Sequence, residues 1–289
     1  MTQETATGGT SKAYVARGSS RVTLAHVSDL HLDGGARAEE RAVRVLDRLR
    51  SMPGPFDALL VTGDIADHGT EAEYESAVRL LADFPAPVLC LPGNHDVRGP
   101  YRKVLLGEPA SDAPVNRLHR VGPLAVLMLD VIVPGRDEGH LADETADWVR
   151  ATIRDALPPG TPVALALHQP PVELGGGLID SIMLDNADEL AALLSEHPQI
   201  VAVFGGHAHS ASVTTFAGRP LALGPGVTST LRLGWETEGE EWGEVIDRTA
   251  PPGYAVHVIE LPTERADSSA DLVSSAVGAR LTSHFRTCG

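Results

Sequence analysis

The sequence predicts an α/β domain, and three features of the chain lead to that prediction. Apolar runs of strand length alternate with helical periodicity through the first hundred residues. Asp and His residues follow directly after several of these apolar runs. From Val213 onward, strand-like runs are separated by turns without intervening helices. The alternation indicates a sheet with parallel crossovers, and the later runs make the pattern a mixed one.

The predicted elements follow from these periodicities in chain order. Strands are predicted at Val22 to Val27, Asp57 to Thr62, Pro87 to Leu91, Leu124 to Leu129, Val163 to Leu167 and Ile200 to Phe204, and later at Val213 to Phe216, Pro220 to Leu223 and Tyr254 to Leu261. Helices are predicted from Ala36 to Arg50, around an inner face of Tyr74, Ala77, Val78 and Leu81, from Asp143 to Leu157, and after Asn186. Asn186, with Glu189 three residues on, predicts a capping box.

The 289-residue chain is long enough for one large domain, and no linker divides its core. Residues 1–20 are polar and rich in Gly, Ser and Thr, which predicts a disordered tail. The catalytic domain is predicted over residues 21–262. Residues 263–289 form a Ser- and Ala-rich C-terminal extension.

Charge and cysteine content exclude several classes of protein. The net charge is −16 with only 23 Lys and Arg, so the basic footprint of a nucleic-acid or anionic-membrane binder is missing. Cys90 and Cys288 cannot form a disulfide framework, and no run has the length of a signal peptide core or a membrane span. These features predict a soluble, cytoplasmic protein.

Eight polar residues stand at the ends of the predicted strands, where open sheets of this kind bind ligands. They are Asp29, His31, Asp64, Asn94, His95, His168, His207 and His209. Nitrogen and oxygen donors without a thiolate suit Mn, Fe, Zn or Co, and eight such groups suit two ions better than one. In Asp29-Leu30-His31 and in His207-Ala208-His209, extended backbone would point both side chains of a pair the same way.

Other His and Asp residues are predicted to lie outside this site. His26 falls within the first strand, which predicts a packed neighbour. His140 lies in a turn, and of the remaining histidines it is the one that the sequence excludes from the site least clearly. Asp67, Asp130 and Asp180 are predicted to be solvated loop residues.

Five ordered blocks resemble the calcineurin-like metallophosphoesterase superfamily. They are Asp29-Leu30-His31, Gly63-Asp64, Gly93-Asn94-His95-Asp96, His168 and Gly206-His207-Ala208-His209. Four further motifs are less specific and resemble those of its bacterial class III cyclic-nucleotide phosphodiesterase branch, which also includes glycerophosphodiesterases. They are Ser28, Glu73-Tyr74, His168-Gln169-Pro170-Pro171 and Leu184-Asp185-Asn186-Ala187. Gln169 departs from the pattern, since many relatives carry a second His there. That residue is not a ligand in the family, so we expect the chemistry to survive.

The resemblance implies a four-layer αββα sandwich of two mixed β-sheets flanked by helices. It also implies two metal sites, with Asp64 and a hydroxide bridging two ions of Mn, Fe, Zn or Co. Asp29, His31 and His209 would hold one ion, and Asn94, His168 and His207 the other. We expect His95 to stabilise phosphoryl charge or protonate the leaving alkoxide. Asp96 is expected to orient His95.

This centre predicts a metal-dependent hydrolase of a small phosphodiester, such as the cyclic nucleotide 3′,5′-cAMP. Glycerophosphodiesterase and phosphomonoesterase or pyrophosphohydrolase activities are the enzymatic alternatives. A catalytically silent binding module is the alternative of another class, and the complete ligand set argues against it. The 174–185 loop and the acidic 235–247 segment are expected to decide the substrate. A nucleic-acid polymer is not expected as a partner. Proteins of this branch commonly form homodimers, but the sequence itself gives no indication of the oligomeric state.

Overall fold

A computed structural model describes residues 19–239, 241–262 and 278–289. Two mixed β-sheets are stacked face to face with helices on both outer surfaces, so the predicted four-layer αββα class is confirmed. Residues 1–18 and 263–277 of the predicted tail and extension lie outside the described residues. Ser19 and Ser20, assigned to the tail, form the start of the first strand.

The first sheet combines strands from both ends of the chain. It contains β1 (Ser19–Val27), β2 (Ala58–Thr62), β3 (Val88–Leu91), β12 (Gly253–Pro262) and β13 (Arg280–Thr287) in the order β13–β12–β1–β2–β3. Strands β1, β2 and β3 are parallel, and β12 and β13 extend the sheet in antiparallel fashion. Strand β13 lies in the predicted C-terminal extension and was not predicted, since its alternating pattern is weak.

The second sheet has four parallel strands between two antiparallel edges. It contains β4 (Arg117–Val121), β5 (Leu124–Met128), β6 (Val163–Ala166), β7 (Ile200–Gly205), β8 (Ser212–Phe216) and β9 (Arg219–Leu223) in the order β4–β5–β6–β7–β9–β8. Strands β5, β6, β7 and β9 run parallel. Strand β4 was also not predicted, because charged and polar residues interrupt its apolar pattern.

Helices cover the outer face of each sheet. They are α1 (Ala36–Arg50), α2 (Glu71–Leu81), α3 (Arg98–Tyr101), α4 (Asp143–Ala151) and α5 (Ala187–Glu196), with π-helical turns at Arg102–Leu106 and Thr152–Ala156. Helix α1 matches its predicted bounds. Val78 of α2 is 41% exposed, so its predicted inward position is wrong, and Leu80 is buried instead.

Alternation along the strands supplies three separate apolar layers. In β2, Leu60 points into the layer between the sheets and packs with Met128 and Phe204. Its neighbour Leu59 points outward into the layer beneath α1 and α2. A third layer lies beneath α4 and α5. Strands buried on both faces explain the continuous apolar runs from which they were predicted.

Asn186 is the N-cap residue of α5, as predicted, but its side chain makes no capping hydrogen bond and the predicted capping box is wrong. Its side-chain oxygen accepts from the Leu141 backbone N–H (2.8 Å), and its amide donates to the Leu141 carbonyl (2.9 Å). The residue therefore joins the start of α5 to the segment before α4. A capping box is present instead at Thr70 and Glu73, at the start of α2.

Three short elements complete the description. A 3₁₀ turn lies at Ile179–Ile182 within the predicted 174–185 loop. Strands β10 (Thr230–Leu231) and β11 (Ile246–Asp247) form a small hairpin, and α6 (Trp242–Val245) directly precedes β11. Among the described helices, none combines the length and apolar character required to span a membrane.

Candidate metal centre

Turns after five strands bring the predicted ligands together. Asp29 and His31 follow β1, Asp64 follows β2, Asn94 follows β3, His168 follows β6, and His207 and His209 follow β7. Ligand atoms of Asp29, His31, Asp64 and His209 lie within 4.8 Å of one another. Those of Asp64, His168 and His207 form a second such group. Asp64 belongs to both groups and is therefore placed to contact two ions.

Left-handed backbone turns aim these side chains. Asp29, His31, Asp64, His207 and His209 all have positive φ, between 43° and 68°. Such a conformation costs a non-glycine residue about 1–3 kcal/mol. The extended pairs expected from the i, i+2 spacing are therefore wrong, and the two histidines of Gly206-His207-Ala208-His209 enter different groups.

The first group has two imidazole nitrogens facing each other. Nε2 of His31 lies 3.2 Å from Nε2 of His209 and 3.4 Å from Oδ2 of Asp64. Nδ1 of His31 donates to the Asp67 carboxylate (2.8 Å), so its proton is on the outer nitrogen. The inner Nε2 of His31 then presents a lone pair towards His209, an arrangement that a cation between the rings would stabilise.

The second group contains buried polar atoms without partners. Nδ1 of His168 donates to the Thr62 carbonyl (2.6 Å), which leaves its Nε2 facing Asp64 Oδ2 at 3.3 Å. Nε2 of His168, Nε2 of His207 and Oδ2 of Asp29 are buried and have no hydrogen-bond partner among the described residues. Buried polar atoms without partners are costly, and bound cations would satisfy all three. The residues present therefore fit a metal centre.

Asn94 lies in the turn after β3 and lines the same cavity as Asp64 and His207. Its Oδ1 lies 3.4 Å from Nε2 of Gln169, which also donates to the Asp137 carbonyl (3.0 Å). Gln169, the residue that departs from the family pattern, thus contacts a predicted ligand without being placed among the ligands.

Burial and mutual charge set the protonation of the cluster. Burial lowers the pKa of His209 to about 3 and holds the pKa of His207 well below its usual range. Burial opposes charge on His168, but Asp64 and Asp29 outweigh it and raise the His168 pKa to about 9. Burial raises the pKa of Asp29 to about 6. Burial also disfavours ionised Asp64, but His168 and His31 hold its pKa well below the usual range. Metals bind neutral imidazoles, so His207 and His209 are already in the binding form, whereas His168 would release its second proton when a cation binds.

The centre opens into a cavity of about 500 Å³, within the usual size range of small-molecule sites. Its lining includes His31, Asp64, Asn94, His207 and His209. Asp29 and His168 lie behind them and are 0% exposed. A ligand in the cavity can therefore reach both groups from one side.

His95 stands at the edge of this cavity. Its backbone N–H donates to Asp64 Oδ1 (3.0 Å), and its ring contacts His31 edge to face at 4.5 Å between centroids. Nδ1 of His95 lies 2.9 Å from the Asp67 carbonyl. Because a carbonyl only accepts, Nδ1 carries the proton and Nε2 is the nitrogen left for a ligand. The side chain is 40% exposed.

A model of the calcineurin-like phosphoesterase family matches residues 22–211, more than half of the chain. The chain belongs to the calcineurin-like phosphoesterase family. The resemblance inferred from the five sequence blocks is thereby confirmed, and the protein is a phosphoesterase.

Two relatives are about a third identical to this phosphoesterase over the aligned residues. A cAMP/cGMP dual specificity phosphodiesterase from Mycobacterium tuberculosis is 32% identical over 73% of this chain and 69% of the relative. Glycerophosphodiester phosphodiesterase GpdQ from Enterobacter lignolyticus is 32% identical over 70% and 76%. A dimetal phosphatase from Danio rerio matches the structure with a TM-score of 0.64 at 12% identity, covering 93% of this chain and 99% of that one. At that identity, the structural match shows the fold alone.

Asp96 does not orient His95 in this phosphoesterase. Its carboxylate accepts from the backbone N–H groups of Ile65 (3.1 Å), Ala66 (3.1 Å) and Gly93 (2.9 Å) and from the Tyr74 hydroxyl (3.0 Å). These bonds tie the turn after β2 to the turn after β3. Asp96 therefore supports the ligand-bearing turns from behind, and we assign it no contact with substrate.

Asp67 takes the place predicted for Asp96. Its carboxylate accepts from Nδ1 of His31, and its carbonyl accepts from Nδ1 of His95. A carboxylate behind a ligating imidazole fixes the tautomer and orientation of the ring. Asp67 follows Asp64 by three residues in the same turn. This proximity in the sequence is the feature from which a position of Asp67 beside the site could have been predicted.

The predictions for the other His and Asp residues are confirmed in part. His26 is packed as predicted, with Thr62 and His257 at hydrogen-bond distance. His140 contacts Asp185 (2.6 Å) and is not among the described residues that line the cavity. Neither Asp130 nor Asp180 belongs to the two groups of ligand atoms, and Asp180 is half-buried, but the solvated position predicted for Asp130 is wrong. Asp130 is 2% exposed and binds the Arg98 guanidinium, while Asp180 accepts two backbone N–H groups of its own loop.

Gly93 offers a direct test of this geometry. A Cβ at this position would lie 2.2 Å from Asp64 Oδ1 and 2.7 Å from His168 Nε2, so Gly93→Ala must displace the shared carboxylate. We expect metal binding to weaken by at least about tenfold, measured by metal analysis after dialysis. Gly99→Ala is the control, since its Cβ would meet only Ala110 at 3.8 Å. Full metal content in Gly93→Ala would contradict the assigned positions.

Proposed function

We propose that this protein is a dinuclear-metal phosphodiesterase that hydrolyses a small phosphodiester, with a cyclic nucleotide such as 3′,5′-cAMP as the leading substrate. The observation that carries the proposal is the position of Asp64, which is shared by two groups of buried ligand atoms at the floor of an open cavity. Membership of the phosphoesterase family and phosphodiesterase relatives support the reaction class.

The donor set suggests how two ions would be held. Asp29, His31 and His209 would bind one and Asn94, His168 and His207 the other, with Asp64 common to both. Nitrogen and oxygen donors without a thiolate suit Mn, Fe, Zn or Co. When bound, such a pair supplies the positive charge that activates a water and neutralises the phosphoryl oxygens during in-line displacement.

His95 is the side chain to which we assign protonation of the leaving group. Its Nδ1–H is held by the Asp67 carbonyl, and the Asp67 carboxylate lies 3.6 Å from the same nitrogen. When protonated, His95 would donate its Nε2 proton to the leaving alkoxide as the phosphorus–oxygen bond breaks, and the ring would return to neutral with its remaining proton on Nδ1.

Local charge reconciles an anionic substrate with an acidic chain. The net charge is −16, and Asp33, Asp67 and Asp137 also line the cavity. A phosphodiester therefore depends on the cations held by the cluster, with Arg37 and Arg248 as the guanidinium groups of the lining. A cytoplasmic location belongs to the same proposal and is supported by the free thiols Cys90 and Cys288.

A substrate panel tests the proposed activity. Turnover of 3′,5′-cAMP, 2′,3′-cAMP, glycerophosphocholine, bis-p-nitrophenyl phosphate and p-nitrophenyl phosphate is measured with Mn²⁺, Fe²⁺, Zn²⁺ or Co²⁺ added. We expect metal-dependent diester hydrolysis that a chelator abolishes, with the highest kcat/KM for 3′,5′-cAMP.

The other outcomes of the panel decide between the alternatives. A preference for glycerophosphocholine would replace the cyclic nucleotide by a glycerophosphodiester, and a preference for p-nitrophenyl phosphate would indicate a phosphomonoesterase. No diester turnover with any of the metals would refute the proposed reaction.

The role of His95 predicts a separation of catalysis from metal binding. His95→Ala should lower kcat by about 10²-fold or more, because the leaving alkoxide loses its proton donor, while metal content stays at the wild-type level. His284→Ala, an exposed histidine of β13, is the matched control and should change neither quantity. A metal-loaded His95→Ala enzyme with full turnover would rule out the role.

A further inference from the structure

The cavity beside the candidate metal centre has an apolar portion that the proposed chemistry does not use. Its members are Ile179, Ile182, Leu231, Trp242 and Ile246, drawn from two segments distant in the chain. The same cavity contains the imidazoles and carboxylates of the metal centre. A site with one charge-binding region and one apolar, aromatic region fits a ligand that joins a phosphate to a flat ring.

Trp242 is positioned by α6 and the β10–β11 hairpin. Val245, one turn after Trp242, is 4% exposed and anchors α6 in the core. Ile246 follows and pairs with Leu231 across the hairpin. Three of the apolar lining residues thus belong to one small unit formed by α6 and the β10–β11 pair. Trp242 itself remains 38% exposed, so its indole has surface available for a ligand.

The 3₁₀ turn Ile179–Ile182 supplies the rest of the apolar lining. Ile179 is 3% exposed, and Ile182 follows three residues later on the same side of the turn. The Asp180 carboxylate accepts from the backbone N–H groups of Leu174 (2.7 Å) and Gly176 (2.9 Å) and closes this loop. The two segments predicted to decide the substrate therefore both contribute to one surface.

Arginines of α1 fix the chain on either side of this unit. Arg37 donates to the carbonyls of Thr228 (2.8 Å) and Arg248 (2.5 Å). Arg41 donates to the Ala250 carbonyl (2.7 Å). The apolar surface is thus tied to the helix that follows the Asp29 and His31 turn. A surface held in this way loses little freedom when a ligand binds.

We propose that Trp242 is the specificity-determining residue of this site and stacks its indole on the nucleobase of a nucleotide diester. The inference rests on the proposed function and narrows its substrate class, since a glycerophosphodiester has no ring to place against Trp242. Trp235 is 73% exposed and is not among the described residues that line the cavity, so it serves as a matched control.

Binding of two ligands that differ only in the base tests this directly. Isothermal titration calorimetry on the full chain with Mn²⁺ compares adenosine 5′-monophosphate with ribose 5-phosphate, which lacks the base. We expect the nucleotide to bind about tenfold more tightly to the wild type, as expected for one stacked base. Trp242→Ala should bring the two affinities to within about twofold. Trp242→Phe should keep most of the difference, and Trp235→Ala all of it.

If the enzyme hydrolyses 3′,5′-cAMP, steady-state kinetics provide a second measurement. Trp242→Ala should raise KM by about tenfold and leave kcat within about threefold, because the stacking contact is remote from the reacting bond. The inference is overturned if the wild type binds the two ligands equally or binds neither detectably. It is also overturned if the difference in affinity between the two ligands is unchanged in Trp242→Ala. Neither result depends on turnover, so a failure of the proposed reaction in the substrate panel is distinguished from a failure of this assignment.

Discussion

A single buried carboxylate, Asp64, is the constraint on which the site depends. Its Oδ2 lies 3.4 Å from the His31 imidazole and 3.3 Å from the His168 imidazole, and those rings follow strands of different sheets. A charged carboxylate with 2% exposure is stable only beside opposite charge or donors. The two sheets must therefore stack so that the ends of β2 and β6 meet, and the apolar layer between them holds that register.

The local structure around Asp64 is strained, and the surrounding fold maintains it. Five of the predicted ligand residues adopt left-handed backbone, and Gly63 and Gly93 allow the turns to approach His168 and Asp64 closely. Asp96 holds the same turns through four accepted hydrogen bonds. Strain and unpaired acceptors concentrated at one point, within an otherwise well-packed core, are typical of a functional site.

Much of this arrangement could be predicted from the sequence, because strand ends and apolar periodicity are local signals. The order of β1, α1, β2, α2 and β3, and the turns bearing the ligands, followed from them. Contacts between distant turns could not be derived in the same way. The exchange of roles between Asp96 and Asp67 depends on how two turns pack, and the apolar surface around Trp242 depends on a hairpin with little pattern of its own. Strand β13 was missed for the same reason.

Metal analysis of Asp64→Ala tests whether one carboxylate serves both sites. We expect wild-type protein dialysed against Mn²⁺ to retain two ions per chain and the variant to bind both at least about tenfold more weakly. Asp83→Ala, an exposed carboxylate in the turn after α2, controls for the loss of charge. Two ions retained by Asp64→Ala at wild-type affinity would contradict a shared carboxylate, whatever the substrate proves to be.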